Sequence, residues 1–540
     1  MIQPASLHES ESSSASQDAF GSKATKLCAL FGLDEGARVL LIGDGAPDWK
    51  DDLDTFFSHL DCASTSESVT AVLAADKTYD LIVWTPGLDG SAFSPWVRPL
   101  RRVLTPSGSA FILAENRFAV RYWKRDTSRM LSPLRNAVST YTRKLDRAGF
   151  ERIRCFLPVP GLATAEQFVS LKSGGIDLSI DASLLERAAN KSGLLWTIHD
   201  GVAYVVSGPQ GGELGLVKEI EQQLRDAGHR FSKPLQLERF DLRDRGSLIL
   251  FIRSGTVRLV CRIAIGQSVD LVIRRNDEWI RRIHENPQIS DTIKAAVPRS
   301  LGTFDLKSGR AYVETLTPGV ISWKLSQSVE LERKLFAELA SFITRLGFDT
   351  HTKTRLESSF VDGLLSFATT RAIDPYVAHE CERLCERLRS RVTGIERNLA
   401  WNHGDFGYGN VIVSNTAVLT GVIDWDQARQ GIAGVDLVNF LVQRERSVKG
   451  KSLVDALEEV GNSIRHGGFS EFDARLRYDP IAGTSREERE ELMAWATLRF
   501  AQRSMSYPAL FAAEREQTRL SLQWACDFLD HASTRATDAP

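Results

Sequence analysis

Three polar side chains with related chemistry fall within one short stretch, Trp401 to Ala428, WNHGDFGYGNVIVSNTAVLTGVIDWDQA. Asp405 and Asn410 stand five residues apart in a Gly-rich turn, and Asp424 closes a second apolar segment. Val411 to Val413 and Val418 to Ile423 are short and rich in β-branched residues, which predicts two strands joined by a turn at Ser414-Asn415. Such a hairpin brings Asn410, at the start of one strand, beside Asp424, at the end of the other. An amide oxygen and a carboxylate on one rigid edge suit a hard divalent cation such as Mg²⁺. Asp405 stays on the loop in front, placed to accept a proton.

Order and spacing here carry a resemblance. His403-Gly404-Asp405 with Asn410, followed by Ile423-Asp424-Trp425-Asp426, resembles the catalytic and metal motifs of the aminoglycoside phosphotransferase family, which shares its core with the protein kinases. The resemblance implies transfer of the γ-phosphate of ATP, or GTP, to a hydroxyl. Asp405 is then catalytic, Asn410 and Asp424 hold Mg²⁺, His403 braces the loop, and Asp436 is a structural anchor.

The elements that must position these groups lie on both sides. Leu235 to Phe240, Ser247 to Arg253 and Val257 to Ile265 read as strands of a small β lobe. The turn Arg243 to Ser247 falls where the family has its nucleotide loop, so Gly246 and Ser247 are candidate phosphate contacts. In VRLVCRIAI, Arg262 stands where a Lys is commoner, and Glu278 on the next helix is its implied partner. RAYVETLTPG resembles the connector between lobes and assigns the backbone of Glu314 and Leu316 to the adenine edge. Helical spacing over Val329 to Leu346, Pro375 to Gly394, Ser452 to His466 and Glu487 to Asp530 predicts a helical large lobe. The fold expected of residues 213–535 is therefore α+β and protein-kinase-like.

The first half reads differently. VLLIGDG, YDLIVW and LRRVLTPSGSAFILAENR alternate strands with helices and predict a mostly parallel, doubly covered α/β sheet over residues 21–207. They resemble the Rossmann-like class I methyltransferases, which implies S-adenosylmethionine near Gly43, Asp44 and Gly45. The likeness breaks where the cofactor chemistry sits. Leu41 stands at an acidic position, Pro47 replaces the last glycine, and Asp61 is the one acid on offer for the ribose hydroxyls. Residues 1–20 read as a disordered, Ser-rich tail, and Gly208 to Gly212 (GPQGG) as the linker.

Composition bounds the function classes. At 540 residues the chain exceeds one core, and 43% hydrophobic with 25% charged residues is ordinary for a globular protein. A formal net charge of −2 argues against a nucleic-acid partner, which would want a clustered basic surface. The seven cysteines are scattered, as reduced thiols in a cytoplasm would be. No apolar run approaches the roughly 20 residues that span a bilayer. Arg444, Arg446, Arg486 and Arg489 interleave with carboxylates in the C-terminal segments, which disfavours a polycationic acceptor and favours a small metabolite, sugar or glycan. Two other readings stand beside a phosphotransferase: a bifunctional methyltransferase–kinase acting on surface glycans, and a nucleotide-binding scaffold without turnover. The sequence does not set the oligomeric state.

Overall fold

The computed structural model describes residues 23–33, 36–43, 53, 57–85, 95–115, 138–159, 167–170, 201–208, 214–242, 247–325, 328–361, 374–465, 485–506 and 508–537. They fall into two compact units, Met1–Leu271 with Gly302–Val313, and Val272–Leu301 with Glu314–Pro540.

The first unit is built on a twelve-stranded sheet of β1 (Arg38–Ile42), β2 (His59–Ala63), β3 (Tyr79–Trp84), β4 (Leu104–Glu115), β5 (Glu151–Val159), β6 (Gln167–Ser170), β7 (Gly201–Ser207), β8 (Gln236–Asp241), β9 (Ser247–Ser254), β10 (Val257–Ala264), β11 (Ser300–Leu306) and β12 (Gly309–Thr315). Their spatial order is β11-β12-β10-β9-β8-β6-β5-β7-β4-β3-β1-β2. The block β2-β1-β3-β4 is parallel, as the runs of buried Val, Leu and Ile in β1 and β3 require. β7 enters antiparallel between β4 and β5. β2 (HLDCA) is an edge strand whose polar residues gave no sequence signal.

In such a sheet ligands bind where strand order reverses, here outside the ends of β1 and β3. Gly43 sits there with φ +127°, and a Cβ on it would lie 2.3 Å from the carbonyl and hydroxyl oxygens of Thr85. Asp44 and Gly45 lie outside the described residues. Asp61 is in mid-strand opposite Leu40, where it accepts from Tyr79 Oη at 2.7 Å and Lys77 Nζ at 3.1 Å.

The division differs from a boundary at 208–212. That linker lies outside the described residues apart from Gly208, and the sheet runs on past it. β6 pairs with β5 on one side and β8 on the other. Phe156, Phe168 and Phe240 make this junction a core: Phe168 stacks on Phe240 with centroids 4.8 Å apart, and Phe156 meets Phe240 edge-on at 5.3 Å. All three are buried. The hairpin β9–β10 therefore belongs to the same body as the parallel strands.

The second unit holds β13 (Val320–Ile321), β14 (Thr352–Arg355), β15 (Glu396–Asn402), β16 (Val411–Val413), β17 (Leu419–Val422) and β18 (Arg429–Ile432). They form two small sheets, β13-β16-β17 and β14-β15-β18. Around them pack the helices Val329–Thr350, Pro375–Val392, Val435–Lys449, Leu453–Arg465, Arg486–Ser506 and Pro508–Thr537. The helix Pro375–Val392 starts as its sequence dictates, with Asp374 accepting from the amides of Tyr376 and Val377 and Pro at the first turn. Among the described residues no helix is long and apolar enough to cross a membrane.

One buried ion pair ties two of these helices together. Arg444 Nε lies 2.6 Å from Glu332 Oε1, and Tyr408 Oη donates to the same oxygen at 3.2 Å. Both charged side chains are nearly inaccessible, at 12% and 5% exposure. Glu332→Ala removes the nearer carboxylate and leaves the guanidinium Glu445 Oε1 at 3.7 Å, and is expected to cost about 3 kcal/mol, read as a lower urea midpoint at unchanged slope.

Candidate active site

The loop after β15 has its shape set by what its alternate residues bury. His403, Phe406 and Tyr408 are buried. Phe406 stacks on Phe342 at 5.9 Å, and Tyr408 packs on Phe440 at 5.2 Å. With these three turned into the core, Asp405 and Asn410 fall on the opposite side. Asp436, at the start of the helix Val435–Lys449, accepts from the backbone amides of both His403 and Gly404. Burial pushes its carboxyl up, and His403 and the two amides pull part of that back. This is the anchor the sequence implied.

His403 braces the loop through both ring nitrogens. Nε2 donates to the Ile423 carbonyl at 2.8 Å, and Nδ1 accepts from the Asp405 amide at 3.3 Å. The ring thus joins the proton-accepting loop to the strand that ends at Asp424. Gly404 is fixed by sterics: its φ is +84°, and a Cβ would lie 2.2 Å from both Arg499 Nη2 and the Gln427 carbonyl oxygen.

The hairpin forms as read. β16 and β17 pair antiparallel, Val411 opposite Val422, and the ladder continues with the Ile423 amide donating to the Asn410 carbonyl at 2.9 Å. Asn410 and Asp424 are thereby neighbours. Asp424 is held in the left-handed region at φ 62°, an uncommon conformation for a non-glycine residue and one that collects at functional sites. The next residue is pinned, because the Trp425 amide donates to Asn276 Oδ1 at 2.7 Å, while Asn276 Nδ2 reaches Glu314 at 3.4 Å.

Asp405 is the most closely attended group. Asn410 Nδ2 donates to its carbonyl at 2.9 Å and to Oδ2 at 3.1 Å, which leaves the Asn410 amide oxygen as its remaining acceptor. Arg503 Nε lies 2.8 Å from Oδ1. Burial pushes the Asp405 carboxyl above its ordinary range, and the Arg503 guanidinium offsets only part of that. Among the described residues no set of three or more His, Cys, Asp and Glu could hold a metal by itself. A cation on Asn410 and Asp424 would need further oxygens, such as those of a bound polyphosphate.

The nucleotide-side residues divide between the units. Ser247 opens β9 and Arg262 is half-buried in β10 opposite Ile249, both in the first unit. Gly246 lies outside the described residues. In the second unit, Glu278 is 49% exposed and 4.0 Å from Arg274. The buried polar residues of its helix are Asn276 and Asp277. Glu314 is buried, and Leu316 follows it into a connector whose next strand, β13, pairs with β16. The structure therefore brings Glu314, Asn276, Asn410, Asp424 and Asp405 into one connected set within the second unit.

Residues 248–479 match the phosphotransferase enzyme family. The matched segment contains Asp405, Asn410 and Asp424, together with the anchor Asp436. Among solved structures, the chain is similar to a thermostable mutant of aminoglycoside phosphotransferase APH(4)-Ia in its apo form, at 15% identity over 53% of this chain and 91% of that one, with a TM-score of 0.36. It is similar also to APH(2")-IIa in its ternary complex with streptomycin and ATP, at 16% identity over 53% and 97%, TM-score 0.31. APH(3'')-Id from Streptomyces rimosus shows 16% identity over 52% and 97%, TM-score 0.33. No curated protein matches the chain.

Sequence reasoning missed three residues of the site. Asn276 lies on the buried stripe Ile273, Ile280 and Ile283, and a polar residue on an apolar stripe was its signal. Arg499 and Arg503 come from the helix Arg486–Ser506, and nothing in their local sequence marks them. The arginines that sequence did single out do other work: Arg444 pairs with Glu332, Arg446 with Glu514 and Arg486 with Glu490.

The anchor yields a prediction. Asp436→Ala leaves two buried amides without their acceptor, at about 1–3 kcal/mol each. We expect a lower melting temperature and, in the protein that stays folded, reduced phosphate transfer in a labelled-nucleotide assay.

Proposed function

We propose that the phosphotransferase segment moves the γ-phosphate of ATP, or GTP, to a hydroxyl of a small molecule or glycan. The observation that carries this reading is the connected set Asp405, Asn410 and Asp424. It places a proton acceptor on a braced loop beside two oxygen donors on a hairpin edge. Asp405 orients the acceptor hydroxyl and takes its proton late in the transfer. The Asn410 amide oxygen and the Asp424 carboxylate would hold a Mg²⁺ ion, which when bound neutralises charge on the transferring phosphates. His403 and Asp436 keep the loop from shifting, so that positioning rather than covalent chemistry supplies the rate. Within the second unit Glu278, Glu314 and Leu316 are the proposed nucleotide contacts; for Gly246, Ser247 and Arg262 of the first unit a phosphate-binding role stays what the family resemblance implies.

The intact set disfavours a scaffold without turnover. For residues 21–207, the order β2-β1-β3-β4 with Gly43 at its switch point supports a Rossmann-like reading. Asp61 does not fit the ribose of S-adenosylmethionine, since Tyr79 and Lys77 engage it in mid-strand. The proposal therefore assigns no methyl transfer to that half.

Calorimetric titration tests the metal assignment. ATP should bind more tightly with Mg²⁺ than with EDTA, and Asp424→Ala should abolish that difference. A difference that survives the substitution would remove Asp424 from the site.

A further inference from the structure

The groups around Asp405 carry information about the acceptor, given the phosphotransferase reading on which this inference rests. Arg503, on the helix Arg486–Ser506, meets Asp405 Oδ1 at 2.8 Å and is still one-third exposed. One residue earlier, the side-chain oxygen Oε1 of Gln502 accepts from two further guanidinium groups, Arg429 Nη2 at 2.8 Å and Arg499 Nη1 at 3.1 Å. Arg499 also donates to the Gln427 carbonyl at 2.9 Å, directly beside Gly404. Arg429 follows the turn that holds Asp424 and pairs in register with Asn402, next to the start of the loop. The three cations thus line one side of the loop that carries Asp405.

Their charge is poorly met. Among the described residues neither Arg429 nor Arg499 makes an ion pair. Arg429 is half-buried and its Nε has no hydrogen-bond partner; desolvation together with the neighbouring Arg275 pushes its guanidinium down to about 9, with Asp436 pulling the other way. A cation met directly by amide oxygens, with Asp436 acting on it only beyond ion-pair distance, is costly, and a closer oxyanion would relieve it. A guanidinium fork also matches carboxylate and phosphate geometry better than any other side chain. A polycationic acceptor would meet like charge here.

We propose that the acceptor is an anionic hydroxyl compound, bearing a carboxylate or phosphate group that Arg503 receives while Arg429 and Arg499 favour it from behind. The acceptor hydroxyl takes the place of Arg503 at Asp405 Oδ1, and the released guanidinium turns to the acidic group of the same molecule. Arg503 then sets specificity, because it leaves Asp405 when something else of negative charge can hold it.

The test uses the full chain saturated with Mg²⁺ and AMP-PNP, with sulfate as probe against chloride at matched ionic strength. Sulfate should raise the melting temperature by about 2–4 °C near tenfold saturation. Glycerol and the aminoglycoside kanamycin should not. Arg503→Gln should bind sulfate about tenfold or more weakly, Arg503→Lys should recover part of the affinity, and Arg446→Gln, whose guanidinium pairs with Glu514, should match the parent. Absence of a sulfate shift overturns the proposal. So does an equal shift in Arg503→Gln, which would mean an adventitious ion only, and so does a larger shift with kanamycin than with sulfate. If AMP-PNP itself gives no shift, the phosphotransferase reading fails first and the acceptor proposal falls with it.

Discussion

Asp405→Asn is expected to lower kcat for phosphate transfer by about 10²–10⁴-fold, the range that loss of a positioned proton acceptor produces. The amide keeps an oxygen for Asn410 Nδ2, so the loop geometry is retained while its basicity is lost. Stability should not fall. Burial raises the folded-state carboxyl of Asp405 despite the Arg503 contact. A carboxyl raised on folding destabilises the folded state once pH exceeds its unfolded value, and a neutral amide removes that cost. Melting temperature at neutral pH should therefore stay level or rise while turnover collapses. The measurement pairs a labelled-phosphate assay with scanning calorimetry on the same preparation. A kcat within tenfold of the parent would take the catalytic role from Asp405. A fall in both quantities would make it a structural residue.

The second large effect concerns how the chain can be cut. Expression of residues 208–540 alone is expected to give protein without a cooperative melt. The break would fall beside β7, at a point that reads as a domain boundary in sequence. It removes β6, which lies against β8 with Phe168 opposite Phe240. β8 becomes a bare edge, and Phe240 loses both Phe156 and Phe168. Loss of contacts on the scale of a buried Phe costs about 3–5 kcal/mol, against a typical total of about 5–15 kcal/mol. The uncovered edge adds a route to aggregation. Circular dichroism melts of the shortened and full chains decide it. A shortened chain that is monomeric and melts as the parent does would show that the sheet junction contributes little. Phe168→Ala in the full chain offers the milder version, with a drop in the same direction.

How much of this was legible in sequence depends on the range of the interaction. Asp405, Asn410 and Asp424 lie within one hairpin, and local turn chemistry and strand patterning suffice to bring them together. The strand and helix positions of the first half were also legible, because buried parallel strands are unmistakable runs of apolar residues. β2 was not, since an edge strand can afford His59, Asp61 and Cys62. The helical reading of Glu487 to Asp530 merged two helices, although Pro508 marks the break: it cannot continue the preceding helix and opens the next. The continuous sheet was beyond reach for another reason. GPQGG is a sound loop signal, but a loop says nothing of whether the strands on its two sides pair with one another. Arg503 shows the same limit at the site, since its distance from Asp405 in the chain hides a contact that only the packing of the helix Arg486–Ser506 creates.

The most direct measurement of the central claim is transfer of labelled γ-phosphate from ATP to a small-molecule extract by the full chain, with Mg²⁺, run beside Asp405→Asn and Asp424→Ala. Labelled products should appear with the parent, need Mg²⁺, and vanish with either substitution. Labelled products formed equally by all three proteins would contradict that claim.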